Sequence, residues 1–153
     1  MKELEIMSYN DQLTGLGNRY ALNEYMSKVD VNRSMGIVYC DVTGLKKVND
    51  TQGHEMGDRL LKTACESLRR VFDGYGLFRI GGDEFLAAAN GVTREELSEH
   101  VRLLKEDMKV HGVNMFPSQV EEILGMIDGV SSEYNINIAH DESNNRDIIM
   151  VTA

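Results

Sequence analysis

The 153-residue sequence contains no tryptophan, one proline and two cysteines, and it has fewer basic residues than acidic ones. Sixteen Lys and Arg residues against 25 Asp and Glu residues give a formal net charge of −9. This charge argues against nucleic acid as the main partner, because neutralising a phosphate backbone requires a basic surface. A nucleotide substrate remains compatible with it, since a bound metal ion can supply local positive charge.

The sequence also lacks an apolar run that approaches the roughly 20 residues of a membrane span. Cys40 and Cys65 fall within apolar segments, which predicts two buried free thiols in a reducing cytoplasm. Length and ordinary composition predict one globular domain with a proper core, residues 10–153, preceded by a short N-terminal segment, residues 1–9.

The most informative segment is a pair of glycines, Gly81 and Gly82, between two apolar segments and directly before Asp83 and Glu84. A Gly-Gly pair in this setting predicts a tight hairpin, because both central residues can take positive φ. The two acids would then lie at the mouth of the turn, where a metal ion or a phosphate could reach them. Taken alone, such a turn is more often an ordinary solvated hairpin.

A second group of polar residues follows a predicted buried strand, Met35–Cys40, which leads into Asp41. The predicted loop after it contains Asn49 and Asp58, which could hydrogen-bond the edge of a guanine. Each acid has an ordinary alternative: Asp41 could cap the next helix, and Asp58 could occupy a first helical turn. The loop also carries glycines that let a ligand approach the backbone and lysines that suit phosphate: Gly44, Gly53, Gly57, Lys46 and Lys47.

Periodicity and capping signals predict the remaining elements. Predicted helices are Asn18–Lys28, Gly57–Phe72, one from a capping box at Thr93–Glu96 to near Gly112, and a short one opened by Pro117 that runs through Ile127. Predicted hairpin strands are Tyr75–Ile80 and Glu84–Ala89. Hairpin pairing makes the predicted sheet largely antiparallel.

Three blocks of the sequence together resemble the GGDEF domain family, the diguanylate cyclases. Residues 11–19 (DQLTGLGNR) are similar to the motif D-x-L-T-G-L-x-N-R, and residues 41–58 are similar to D-x-D-x-F-K-x-x-N-D-x-x-G-H-x-x-G-D. Residues 79–85 match R-x-G-G-D-E-F without departure. The resemblance covers roughly residues 10–115, and the joint spacing of three blocks is far more specific than the last block alone.

The resemblance implies an α+β fold with a ferredoxin-like core related to polymerase palms and nucleotidyl cyclases, in which helices flank a mostly antiparallel sheet. It implies a cytoplasmic bacterial signal-transduction enzyme that condenses two GTP molecules into cyclic di-GMP and releases pyrophosphate. One domain binds one GTP, so catalysis would require a homodimer. Residues 1–9 would then follow a sensor or regulatory domain of a longer chain.

Matching positions in the motifs imply the roles of individual residues. Asp41 and Asp83 would hold Mg²⁺ or Mn²⁺, with the Val42 carbonyl as a further ligand. Asp83 would also accept the proton of the attacking hydroxyl, with Glu84 as its immediate neighbour in the catalytic pair. Asn49 and Asp58 would bind the guanine of GTP. Lys46 and the backbone at Gly44 and Leu45 would bind its triphosphate.

The sequence departs from the family pattern at several positions. Thr43 stands where the family often has a second Asp, and Leu45 stands where it often has Phe. The family's inhibitory product site, R-x-x-D, has Phe72 and Tyr75 at its two charged positions here, which predicts no product inhibition at that site. The charged residues nearby are out of register: Arg69, Arg70 and Asp73.

Residues 116–153 are divergent or truncated, and two alignments compete for them. In the first, residues 113–115 begin the family's next strand and the chain then diverges. In the second, slightly favoured by its alternation and isoleucine content, Tyr134–Ala139 is that strand, residues 116–131 are an insertion, and Arg146–Ala153 opens the last helix. Either way the family's phosphate-binding Lys and Arg are missing, so the alternative function is a catalytically impaired, GTP-binding regulatory module.

Overall fold

A computed structural model describes residues 8–30, 32–123, 135–141 and 146–152 of the chain. Its helices are α1 (Arg19–Ser27), α2 (Leu45–Gln52), α3 (His54–Val71) and α4 (Arg94–Val110). Its strands are β1 (Ser34–Val42), β2 (Gly76–Arg79), β3 (Glu84–Asn90), β4 (Met115–Ile123), β5 (Asn135–Asp141) and β6 (Arg146–Thr152). Within these ranges no helix combines the length and the apolar character needed to cross a membrane.

Strand β1 is the centre of the main sheet. It lies between β3 and β4, and β2 pairs with the far side of β3, so the order is β2-β3-β1-β4 with every pair antiparallel. Helices α2 and α3 connect β1 to β2, and α4 connects β3 to β4, which is the ferredoxin-like order of elements. The predicted α+β fold with a mostly antiparallel sheet is therefore confirmed. Strands β5 and β6 form a separate antiparallel pair.

The side chains of β1 alternate between two apolar clusters because successive residues of a strand point to opposite faces. Val38 and Cys40 belong to one cluster, whereas Ile37 and Tyr39 belong to the other. Helices α3 and α4 contribute to the first cluster, and α1 contributes to the second. Their buried residues include Leu61, Leu68 and Leu104 in the first cluster and Leu22 and Met26 in the second.

Both cysteines lie in this core as free thiols, Cys40 on β1 and Cys65 on α3. Burial raises the pKa of each thiol above its usual value. The thiols therefore stay protonated at neutral pH, and the prediction of two buried free cysteines is confirmed.

Two helix predictions agree with the structure and one needs correction. Asn18 caps α1 through a hydrogen bond from the Ala21 amide, and Thr93 forms the expected capping box at the start of α4. Helix α3, however, begins at His54 instead of Gly57, and α2 occupies part of the predicted loop. None of the residues of α2 is fully buried, and its only apolar residues are Leu45 and Val48, so its apolar pattern is too short to predict a helix.

The C-terminal predictions are wrong in several respects. Residues 115–123 form β4, in which Pro117 pairs with Cys40, so no helix opens at Pro117. Among the described strands β4 pairs with β1 alone, so it is an edge strand. An edge strand tolerates proline because one of its sides needs no backbone N–H for sheet pairing. The first alignment begins the next strand at residues 113–115; the described strand begins at Met115 and continues to Ile123. Arg146–Thr152 is the strand β6 and not a helix. It pairs with β5, which the sequence predicted as Tyr134–Ala139. Residues 124–127, Tyr134 and Ala153 of these predictions lie outside the described residues.

Arg79 links the turn that contains Asp11 and Thr14 to the β2–β3 hairpin. Its Nη1 atom lies 3.0 and 3.2 Å from the two carboxylate oxygens of Asp11, and its Nε and Nη2 atoms donate to the Gly82 carbonyl at 3.2 and 2.7 Å. The Asp11 carboxylate also accepts the Thr14 amide and hydroxyl at 2.8 and 2.6 Å. Burial raises the pKa of Asp11, but the hydrogen bonds from Thr14 and Arg79 outweigh it and hold this pKa below its usual value.

A second ion pair joins α3 to α4. The Arg70 guanidinium donates to both carboxylate oxygens of Asp107, with Nη2–Oδ1 at 2.7 Å and Nε–Oδ2 at 3.1 Å. The hydrogen bond from Arg70 is the main reason that the pKa of Asp107 falls to about 2. The two helices are thus held together by a bidentate pair at the edge of their apolar contact.

We expect the Asp11–Arg79 pair to be energetically coupled. Asp11→Ala and Arg79→Ala should each lower the free energy of unfolding by about 2 kcal/mol, and the double variant should lose about 1 kcal/mol less than the sum, because each single change leaves a half-buried charge without its partner. Urea unfolding followed by circular dichroism measures this. The exposed Glu24–Lys28 pair is the matched control, and its coupling should be much weaker because solvent screens it. A coupling for Asp11–Arg79 no larger than that of the control would contradict the expectation.

The Asp107 carboxylate should make stability depend on acid pH. Its folded-state pKa lies below the unfolded value of about 3.9, so its contribution is present above about pH 4 and is lost as the pH falls toward 2. Because Arg70 is 44% exposed, solvent screening reduces the contribution to about 0.5–1 kcal/mol. Urea unfolding of the parent and of Asp107→Asn should differ at neutral pH and converge in acid. Asp73→Asn, at an exposed carboxylate, is the control, and a difference that did not change with pH would refute the prediction.

Candidate functional site

Two carboxylates face each other where β1 ends and β3 begins. Asp41 pairs with Glu84 in the antiparallel register. Their neighbours Cys40 and Phe85 lie in the cluster shared with α3 and α4, so alternation places Asp41 and Glu84 on the opposite face of the sheet. Like charges directly opposite in a sheet destabilise it. A divalent cation between these strand ends would offset that repulsion.

Asp83 joins the same strand end through its backbone. Its carbonyl accepts the Val42 amide at 2.9 Å, and the Glu84 carbonyl accepts the Ile80 amide at 3.0 Å. The side chains of Asp41, Asp83 and Glu84 are all only half-buried, so they remain within reach of a ligand. The structure therefore brings Asp41, Val42, Asp83 and Glu84 together, although they come from two distant segments of the sequence.

The hairpin itself differs from the one expected from its glycines. Strand β2 ends at Arg79 and β3 begins at Glu84, and neither Gly81 nor Gly82 has a φ in the left-handed region. The prediction of positive φ at both glycines is thus wrong, although the hairpin exists. A Cβ at Gly81 would meet the end of the flexible Glu84 side chain, which would have to move aside. Gly82 instead faces open space.

The chain turns from β1 into α2 within two residues. The Thr43 amide donates to the Asn114 carbonyl at 2.8 Å, and Gly44 takes the left-handed conformation with φ of 82°. No side chain caps the helix that begins at Leu45. Its first amides can therefore donate hydrogen bonds to an anion. Lys46 lies in this first turn with an exposed side chain.

Asn49 and Asp58, the expected guanine-binding residues, lie on two helices that pack together. Gly53, with φ of 90°, joins α2 to α3 and lets the chain reverse. The Asn49 side chain then lies against Gly57, where a Cβ would overlap its amide oxygen. Gly57 is buried and directly precedes the exposed Asp58. Gly57 is thus a supporting residue for Asn49, a role that the sequence analysis did not assign to it, although its place in the motif before Asp58 was an available signal.

The donor set at the strand ends fits a hard divalent cation. The Asp41 and Asp83 carboxylates and the Val42 carbonyl offer oxygen atoms, which Mg²⁺ and Mn²⁺ prefer. Across the described ranges no group of three or more His, Cys, Asp or Glu side chains could hold a metal ion by itself. An ion held here would thus complete its coordination with substrate phosphates and water, as Mg²⁺ commonly does.

The residues around the family's inhibitory product site are occupied within the fold. Phe72 is buried in the core and Tyr75 is half-buried against it. Arg69 donates to the Thr14 carbonyl at 2.7 Å, and Arg70 is held by Asp107. Both guanidinium groups near that position are therefore already hydrogen-bonded within the fold.

Comparisons with known proteins agree with this geometry. The family model described as diguanylate cyclase, GGDEF domain, matches residues 8–142. The cyclic di-GMP phosphodiesterase PdeR of Escherichia coli (strain K12) is 35% identical over 100 residues, which are 63% of this chain and 15% of that protein. The cyclic di-GMP phosphodiesterase NbdA of Pseudomonas aeruginosa is 32% identical over 144 residues, 79% of this chain and 18% of that protein. The chain thus spans less than a fifth of the length of these two relatives.

Solved structures show the same fold. The coiled coil and GGDEF domain of DgcB from Caulobacter crescentus, in complex with c-di-GMP, superposes with a TM-score of 0.70 at 19% identity, over 81% of this chain and 74% of that one. The FimX GGDEF domain from Pseudomonas aeruginosa also gives a TM-score of 0.70 at 19% identity, over 81% and 84%. With the family model matching residues 8–142 and the strand ends carrying the motif's acids, the chain belongs to the GGDEF domain family.

Proposed function

We propose that this chain is a diguanylate cyclase domain that condenses two GTP molecules into cyclic di-GMP with release of pyrophosphate. The observation that carries the proposal is the junction of β1 and α2. There Asp41 pairs with Glu84, the Asp83 carbonyl binds the Val42 amide, and an uncapped helix begins two residues later. Carboxylates for a cation and free amides for phosphate thus meet at one end of the sheet.

The proposed chemistry is reciprocal attack, in which the ribose 3′-oxygen of each GTP attacks the α-phosphorus of the other. At each phosphorus a phosphodiester P–O bond forms, the bond to the oxygen shared with the β-phosphate breaks, and one pyrophosphate leaves, so that both pyrophosphates are released when the ring closes. Asp83 accepts the hydroxyl proton, and Glu84 holds negative charge beside it. Asp41, Asp83 and the Val42 carbonyl would hold Mg²⁺ or Mn²⁺, which supplies charge to the phosphates and acidifies the hydroxyl when bound.

The substrate is bound by α2 and α3 in this proposal. The amides at Gly44 and Leu45 and the Lys46 ammonium bind the triphosphate, as expected at an uncapped helix N-terminus. Asn49 and Asp58 hydrogen-bond the guanine, whose N–H groups suit a carboxylate and an amide oxygen. Fixing the base and the phosphates at once orients the α-phosphorus for in-line attack.

Because one such site holds one GTP, the proposed catalytic unit is a homodimer in the cytoplasm. A sensor or regulatory domain of a longer chain would control how the two domains meet. We also propose that cyclic di-GMP does not inhibit at the R-x-x-D position, where Phe72 and Tyr75 stand.

A GTP-binding regulatory module without turnover is the second candidate. One observation favours it: Arg146–Thr152 forms β6, so the basic last helix expected from the family is not found in the described residues. Two of the relatives are named phosphodiesterases, which is compatible with a GGDEF domain serving another activity. The two candidates differ in turnover and share GTP binding.

The turnover experiment separates them. The chain incubated with GTP and Mg²⁺ or Mn²⁺ should yield cyclic di-GMP and pyrophosphate on chromatography, and Asp83→Asn should lower the rate by at least about a hundredfold because general-base and metal contributions are both lost. Asp73→Asn, which removes an exposed carboxylate elsewhere, should leave the rate unchanged. Metal-dependent GTP binding without product would support the regulatory module, and product formation by Asp83→Asn at the parent rate would overturn the proposed mechanism.

The contact between Asn49 and Gly57 gives a test of guanine binding. Gly57→Ala should displace the Asn49 amide and weaken GTP binding by about tenfold, the usual cost of one hydrogen bond to a base edge. In an Asn49→Ala background the same substitution should cost nothing further. Isothermal titration with GTP and Ca²⁺ measures all four proteins, and thermal unfolding checks that each folds. Additive losses would show that Asn49 is not the group through which Gly57 acts.

A further inference from the structure

A pocket of about 390 Å³ lies between the start of α1 and the tip of the β2–β3 hairpin. The start of α1 forms one wall with Arg19 and Tyr20, and the hairpin forms the other with Gly81 and Gly82. None of the residues assigned above to GTP lines it. Its volume is at the lower end of the range of about 300–1,000 Å³ that small-molecule pockets occupy.

The charge in this pocket is positive although the chain as a whole carries −9. Arg79 and Asp11 both line it, and their ion pair at 3.0 Å cancels their charges. Arg19 is exposed, and within the described residues its guanidinium makes one long hydrogen bond, 3.4 Å to the Ile80 carbonyl, and no ion pair. One guanidinium is thus left to bind an anion, and its planar donors match a phosphate group.

The pocket also presents an aromatic ring and bare backbone. Tyr20 is 72% exposed, which is high for a ring that costs free energy to leave in water. Gly82 has open space where a side chain would be, so a flat ligand can approach the hairpin closely. An aromatic face beside an arginine is the combination on which nucleobases stack while their phosphates are held.

We propose that this pocket is a second nucleotide site, in which Arg19 binds a phosphate and Tyr20 stacks on a purine base. The choice of a guanine nucleotide rests on the proposed function; the phosphate and the stacked base rest on the pocket alone. Two ligands have this chemistry, a free guanosine phosphate and the cyclic dinucleotide. Either one, when bound in the pocket, would contact the hairpin that carries Asp83.

The test is a titration of the ¹⁵N-labelled chain with GMP, cyclic di-GMP or inorganic phosphate in separate arms, followed by amide chemical shifts. EDTA is present so that metal-dependent binding at the strand ends is suppressed. We expect shifts at Arg19, Tyr20, Gly81 and Gly82, with tighter binding of the nucleotides than of inorganic phosphate. The tighter of the two nucleotide arms identifies the ligand.

Matched variants assign the contacts. Arg19→Gln should weaken all three ligands by about tenfold, because a charge-assisted hydrogen bond is lost, whereas Arg33→Gln, an equal charge change at another exposed arginine, should not. Tyr20→Leu should weaken the nucleotides by about tenfold through lost stacking and leave inorganic phosphate unchanged.

Three results would overturn the proposal: shifts confined to the region of Asn49 and Asp58, an Arg19→Gln variant that binds like the parent, or nucleotides that bind no better than inorganic phosphate. Turnover of GTP is measured separately on the same proteins. Chemical-shift changes at the pocket without turnover would contradict the proposed cyclase activity and support the second site. Turnover without chemical-shift changes at the pocket would support the cyclase activity and contradict the second site.

Discussion

The antiparallel pairing of β1 with β3 is the contact on which the arrangement of functional groups depends. Cys40 and Phe85 pair across these strands and are fully buried, so the hydrophobic effect fixes the register between them. A slip of one residue would turn Phe85 out of the core and carry Glu84 to the other face. Burial of an apolar pair therefore holds Asp41 and Glu84 opposite each other at the end of the sheet.

The polar face built on this register needs glycine at two helix junctions. Gly44 and Gly53 both take positive φ, a conformation in which an L side chain is strained. Through them α2 leaves the end of β1, forms barely two turns and folds back against α3. Asn49 consequently meets Gly57. The spacing of glycines in the second motif is thus a requirement of backbone geometry as well as of ligand approach.

The sequence predicted the parts of the fold that bury an apolar face. α1, α3 and α4 show the period of a helix and β1 is a short apolar run, and the caps of α1 and α4 could be recognised. It failed at α2, which buries no residue, and at β4, where Pro117 suggested a helix start although an edge strand tolerates it. The sequence identified the acids of the site but could not predict that Asp41 and Glu84 lie opposite each other. That pairing is a property of the sheet and not of either motif.

Positive charge is scarce in this chain, and several of its arginines are already engaged in ion pairs. Arg70 pairs with Asp107 and Arg79 with Asp11, while Arg102 lies between two glutamates. A triphosphate carries several negative charges, which Lys46 and the α2 amides alone would compensate only in part. The proposed site should therefore depend on its divalent cation more strongly than a site with a basic last helix, since the cation would be the largest local positive charge.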